Sequence, residues 1–224
     1  MMIGTDGHAD GHTPYFTDMP LWTVVCESRI YDGKENFGFR ALDTEFGPAV
    51  SCFLSPLHLL IDLMLAGASS MGTYTIINAS DAPRCLFRRR DGLGLVANLR
   101  FGWPAVNGCI VREADGSLAS ASLVVERPLT QANRFEVDSR GMMLLDSVHE
   151  RAGLFAWRDT NRQVLDWNIE KVNVTVRAAV KSIQLAEVGV EHCNQFALFD
   201  PEARQWHLVD LPPDTTVFGK GAAR

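Results

Sequence analysis

The sequence predicts an α+β fold: mainly antiparallel β-sheet hairpins packed around one buried helix over about residues 55–67. Three observations carry this expectation. The stretch from Ser55 to Gly67 holds a capping serine, a first-turn proline and a terminal glycine around a nearly all-apolar body. Short runs rich in β-branched and aromatic residues recur along the chain, separated by Gly, Pro, Asp and Asn. The 224 residues, 46% hydrophobic and 21% charged, can bury a core without disulfides.

The helix is justified residue by residue. Ser55 can accept a hydrogen bond from a first-turn N–H, and Pro56 sits where a missing N–H costs nothing. Gly67 suits the stop. Between them Leu57, Leu59, Leu60, Ile61, Leu63, Met64 and Leu65 point apolar groups almost all round, the mark of a buried helix. It is too short to cross a bilayer, which takes about 20 residues.

Before the helix, Leu21–Tyr31 reads as a strand, with Trp22, Val24, Val25 and Ile30, and Asp32-Gly33 supplies a turn. Phe37–Leu42 reads as its return, and Ala49–Leu54 as a short buried strand that runs into the helix. The run Phe53-Leu54-Ser55-Pro56 is similar, over about a dozen residues, to the start of several bacterial sheet-and-helix domains, including the SseB type; ordinary capping accounts for the likeness, and it implies no function here. Gly72–Ala79 leaves the helix as another strand, in an order open to a parallel crossover or to antiparallel packing.

Residues 80–92 change character. Arg84, Arg88, Arg89 and Arg90 crowd between Asp81-Ala82-Pro83 and Asp91-Gly92 in an otherwise acidic chain. Arginine forks match carboxylates and phosphates, so these four are the candidate partner-binding residues; a solvated loop paired with neighbouring acids is the plainer reading.

Leu93–Trp103 reads as a strand that Pro104 interrupts. Asn107–Ala114 and Ser117–Glu126 flank Asp115-Gly116 as a hairpin, and Pro128 ends the second arm. Residues 140–152 fit a second helix, which Ser139 could cap, with Met142, Leu145, Val148 and Ala152 on one face, and Met142–Leu145 also fits a short strand. The motifs Phe155-Ala-Trp157-Arg-Asp159 and Phe196-Ala-Leu198-Phe-Asp200 match at an offset of 41 and predict two similar hairpins. Trp157 then faces Leu165 in one, and Leu198 faces Trp206 in the other. Alternating Val172, Val174 and Val176 predict a strand between them. The domain organisation expected is a flexible tail over 1–20, a sheet-and-helix half over 21–127, a hairpin-rich half over 128–213, or one domain continuous with it, and a tail over 214–224.

The formal net charge is −6, which argues against nucleic acid as a bulk partner and favours a basic one. Five widely spaced cysteines with no C-x-x-C pair, and no secretory leader pattern, point to free thiols and a cytoplasmic location. Asp6, His8, Asp10 and His12 alternate in the tail without the folded frame a metal site needs, so neither a metal nor a cofactor is expected. Nucleotide, metalloprotease, nucleophile-elbow and EF-hand motifs are missing from the chain.

One constellation invites chemistry. His58 and Asp62 lie four apart on the helix and share a face, with Cys52 just before it. A Cys–His–Asp arrangement is the candidate catalytic set, against the plainer reading of a narrow polar stripe. The function expected from the sequence is a non-catalytic cytoplasmic protein-binding module, of the immunity, adaptor or chaperone-like kind. A small hydrolase or transferase dependent on Cys52 and His58 is the alternative. The expected partner is another protein, with no membrane, and a homo-oligomer is a third reading.

Overall fold

A long strand that changes faces halfway organises the molecule. The computed structural model describes residues 19–31, 34–67, 74–113, 118–128, 137–187 and 192–211. The tails over 1–18 and 212–224, the Asp32-Gly33 turn and residues 114–117, which hold Asp115-Gly116, lie outside the described residues.

The first strands are β1 (Trp22–Tyr31), β2 (Lys34–Phe39), β3 (Ala41–Thr44) and β4 (Gly47–Phe53). Helix α1 (Pro56–Leu65) and β5 (Tyr74–Asn78) follow. Then come the long strand β6 (Gly94–Val106), β7 (Cys109–Arg112) and β8 (Ala121–Pro128). Three helices, α2 (Ser139–Arg151), α3 (Trp157–Val164) and α4 (Ile169–Ser182), precede β9 (Gln184–Glu187), β10 (Gln195–Asp200) and β11 (Gln205–Asp210).

The fold is α+β, but the sheet is mixed. Its main path runs β11-β10-β6-β4-β1-β2, with β3 on β4, β5 on β1, β8 and β7 on β6, and β9 on β7. β4 and β6 are parallel, as are β7 and β9; the other pairs are antiparallel. The connection from β4 to β6 carries α1 and β5, so the open choice at Gly72–Ala79 resolves both ways: β5 lies antiparallel on β1, and a parallel crossover spans it.

β6 pairs with β8 over Gly94–Gly102, with one extra β6 residue between Arg100 and Gly102. A bulge reverses the alternation of side chains beyond it. Leu95, Ala97, Leu99 and Phe101 therefore join Leu145 and Val148 of α2 in one core cluster. Trp103 and Ala105 join Leu57, Ile61 and Leu65 of α1 and Val176 and Ala179 of α4 in another. Gly102 sits at the bend because a Cβ there would meet the Ala197 carbonyl and the Leu198 side chain, each at 3.0 Å. Pro104 does not end the strand. It falls between the last β8 partner at Gly102 and the first β7 partner at Ala105, where a missing N–H breaks no ladder on that edge.

α1 begins as its sequence dictates. Ser55 caps it, its hydroxyl accepting from the His58 N–H at 3.1 Å, and Pro56 opens it. Gly67 follows at φ +73°, the left-handed conformation that ends helices. The expectation of burial all round is corrected at Met64, which is 48% exposed, while Leu57, Leu59, Ile61, Leu63 and Leu65 are buried. α1 is also one of four α-helices among the described residues. The helix expected over 140–152 is α2, capped by Asp138 rather than Ser139, with Leu145, Val148 and Ala152 buried.

Three other expectations are corrected. Residues 157–164 are helix, so Trp157 has no cross-strand partner and the duplicated-hairpin reading falls. The Val172–Val176 run is helical, because Asn168 caps it onto the Lys171 N–H and the buried Val176 and Ala179 share a face with Val172 and Ile183. β10 and β11 do form a hairpin, but Leu198 faces His207 and Phe199 faces Trp206, one residue off the expected register. The cause is the turn. Asp200 accepts from the N–H groups of Glu202 and Ala203, and Arg204 takes φ +54°, which makes a four-residue loop. The turn expected at Asp115-Gly116 lies outside the described residues, and Arg112 and Leu118 on either side of it form a bridge. The turn of the β6–β7 hairpin lies at Asn107-Gly108, where both residues have positive φ, as a two-residue type I′ turn demands.

Leu59, fully buried against Val24, Phe53 and Leu63, anchors α1 to the sheet. Leu59→Ala is expected to cost about 2–5 kcal/mol and Met64→Ala less than about 0.5 kcal/mol in urea denaturation.

Candidate functional site

The polar face of α1 meets β6 at the bulge. Residues 100 and 103 differ by an odd number, so in a regular strand they would point to opposite faces. The extra residue turns both towards α1, where they close on Asp62. Oδ2 of Asp62 accepts from Nη1 of Arg100 at 3.1 Å and from Nη1 of Arg40, and Oδ1 accepts from the Trp103 indole N–H at 3.0 Å. Nη2 of Arg100 donates to the Leu118 carbonyl at 3.3 Å, and its guanidinium lies 5.2 Å from the centre of the Phe53 ring. Asp62 and Arg100 are buried, and Arg40 reaches partly to solvent. Burial alone would raise the Asp62 pKa; Arg100 and Arg40 outweigh it and hold the carboxyl below its ordinary range.

His58, one turn before Asp62, packs its ring against Trp103 at 4.3 Å and against the edge of Phe53 at 5.4 Å. Loss of hydration, reinforced by Arg100 and His149 against the pull of Asp62, lowers its pKa to about 3. Across a recess stands His149 of α2. Its Nδ1 lies 2.7 Å from the Leu145 carbonyl, and its ring stacks on Trp157 at 4.3 Å and 16°. Trp157 in turn donates its indole N–H to Asp146, which also pairs with Arg158. Burial lowers the His149 pKa to about 4, with Arg158 adding to it and Leu145 and Asp146 opposing. The recess holds about 50 Å³ and is lined by both histidines, Ser55, Trp103, Asn161 and Phe199, among others.

The candidates from the sequence scatter differently. His58 and Asp62 share this site, but the Asp62 oxygens are taken by two guanidiniums and an indole, so the carboxylate does not orient His58 as a base. Cys52 lies fully buried in β4 within the other core cluster, its Sγ 3.7 Å from the Val50 carbonyl, and burial pushes its pKa up. The arginines stand at the far end of β4 from Ser55. Arg89 pairs with Glu126 at 2.7 Å and Asp91 at 2.6 Å and lies over the Phe46 ring; Arg90 reaches Asp43 at 3.4 Å; Arg88 is exposed; Arg84 is partly buried in the short turn Arg84–Phe87.

Sequence reasoning missed Arg40, Arg100, Trp103 and His149. A usable signal was present: an aspartate in the middle of an apolar helix needs cationic partners if it is buried. Among the described residues there is no group of three or more His, Cys, Asp or Glu placed to hold a metal ion, and no helix long and apolar enough to cross a membrane. Comparison with protein-family models, with curated proteins and with solved structures gives no match.

Both histidines are neutral in the folded chain and gain protons more readily when it unfolds. Their contribution is complete above about pH 6.5, the ordinary histidine pKa, and is lost as pH falls towards 4 and 3. Each should lose about 2 kcal/mol between pH 7 and pH 5. Urea denaturation at the two pH values should show that drop, and His149→Phe should flatten it by about half; a pH-independent midpoint would show that neither imidazole is held neutral.

Proposed function

We propose that this chain is a non-catalytic, cytoplasmic protein-binding module, of the immunity, adaptor or chaperone-like kind, that docks a partner protein through its helical segment 139–182. The observation that carries the reading is where apolar surface is left uncovered. Ten large hydrophobic side chains are exposed among the described residues, and six fall between residues 143 and 174: Met143, Leu144, Phe155, Leu165, Ile169 and Val174. Phe155 is 78% and Ile169 73% exposed. Large apolar side chains left uncovered favour a contact role for the segment that holds most of them. Arg88 and Arg90, both exposed, are proposed with Arg84 and Arg89 as a second, charged contact. The net charge of −6 disfavours nucleic acid.

The non-catalytic half of the reading rests on the state of the reactive groups. Ser55 serves as a helix cap, Cys52 is enclosed and Asp62 is saturated. A thiol nucleophile needs exposure and a lowered pKa, and Cys52 has neither.

Affinity capture with the full chain tests this reading. Phe155→Asp with Ile169→Asp should leave the melting temperature unchanged and abolish retention of the protein that the wild type holds; identical captured sets would contradict it. Cys52 should resist iodoacetamide at neutral pH until the chain unfolds, and rapid selective labelling would favour the hydrolase or transferase alternative.

A further inference from the structure

We propose that the recess between the start of α1 and the end of α2 is a binding site for a small neutral molecule bearing a hydrogen-bond-donating group, an alcohol or a primary amide, which His149 Nε2 receives. The proposal is independent of the docking surface above and rests on four observations.

The first is a fixed acceptor. A carbonyl oxygen can only accept, so the 2.7 Å contact to Leu145 places the hydrogen on Nδ1 and leaves a lone pair on Nε2. The second is rigidity. His149 is 6% exposed and is stacked on Trp157, whose own N–H is tied to Asp146 at 3.1 Å, so the ring cannot swing to another partner. The third is that Nε2 makes no hydrogen bond among the described residues and is not one of the enclosed polar atoms, so a small molecule can reach it. The fourth is room. About 50 Å³ exceeds the roughly 10–15 Å³ that one water needs and falls below the roughly 150 Å³ cavity that admits benzene, which limits the occupant to a few heavy atoms. Asn161, partly buried on α3, adds an amide that can pair with the ligand's other polar atom.

Charge selects among ligands of that size. A carboxylate would meet the Nε2 lone pair. An ammonium would give up its hydration in a recess whose lining offers it no carboxylate. A neutral donor avoids both conflicts, and Trp103, His58 and Phe199 supply apolar walls for its carbon atoms.

Histidine-ring NMR of the full chain at neutral pH, titrated with acetamide and with isopropanol, tests the proposal. A saturable shift of the His149 ring resonances is expected, with an affinity between tens of micromolar and millimolar, the range open to so small a molecule. Acetate should bind at least tenfold more weakly. Leu154→Trp, which narrows the recess while keeping the His149 side chain, should abolish the shift even if His149→Phe fails to fold. Blocked asparagine methylamide forms a second arm: its binding would show that a peptide side chain can supply the group, and its failure beside acetamide binding would restrict the source to a free small molecule. No saturable response to acetamide or isopropanol, or acetate binding as tight as acetamide, would overturn the proposal.

Discussion

A single buried carboxylate fixes α1 against the bent sheet. Asp62 receives Arg100 and Trp103 from β6 on either side of its bulge, and Arg40 from the link between β2 and β3. The Arg40 carbonyl also accepts the Ser51 N–H at 2.8 Å, so the same residue is fixed to β4. Replacing Asp62 leaves Arg100 charged in a place without water, and that cost exceeds what the intact cluster contributes. The cluster therefore specifies the packing of α1 on the bent sheet more than it adds raw stability.

The bulge explains why. Without its extra residue Trp103 would turn away from α1, and the core shared by α1, α4, β6 and β10 would lose its largest side chain. With it, Trp103 both donates to Asp62 and packs edge-on against Trp206 at 5.1 Å, and Trp206 donates to the Ala179 carbonyl of α4. One irregularity in one strand thus joins the polar cluster to the helical layer. It also forms a wall of the recess between His58 and His149.

Much of this was legible in the sequence where the signals were local. The Ser55 cap, Pro56 and Gly67 delimited α1, and the periodic Met142, Leu145, Val148 and Ala152 marked α2. What misled were patterns with two readings. Val172, Val174 and Val176 alternate as a strand would, yet Val172, Val176 and Ala179 also fit a helix, and the Asn168 cap decides between them. The likeness of 155–159 to 196–200 is compositional: Asp200 nucleates a turn, whereas Asp159 sits in the first turn of a helix and pairs with Arg162. Of the candidate site, His58 and Asp62 could be read from their spacing of four. Arg100 and Trp103 could not, because their shared direction depends on a bulge that no local pattern announces.

The central claim is that Asp62 and Arg100 are coupled through burial and not merely adjacent. A double-mutant cycle with Asp62→Leu and Arg100→Met, read by urea denaturation, tests it most directly. The account predicts that Asp62→Leu alone costs about 3–5 kcal/mol, and that adding Arg100→Met recovers at least about 1 kcal/mol by removing the stranded charge. A double variant that loses the full sum of the two single costs would contradict it.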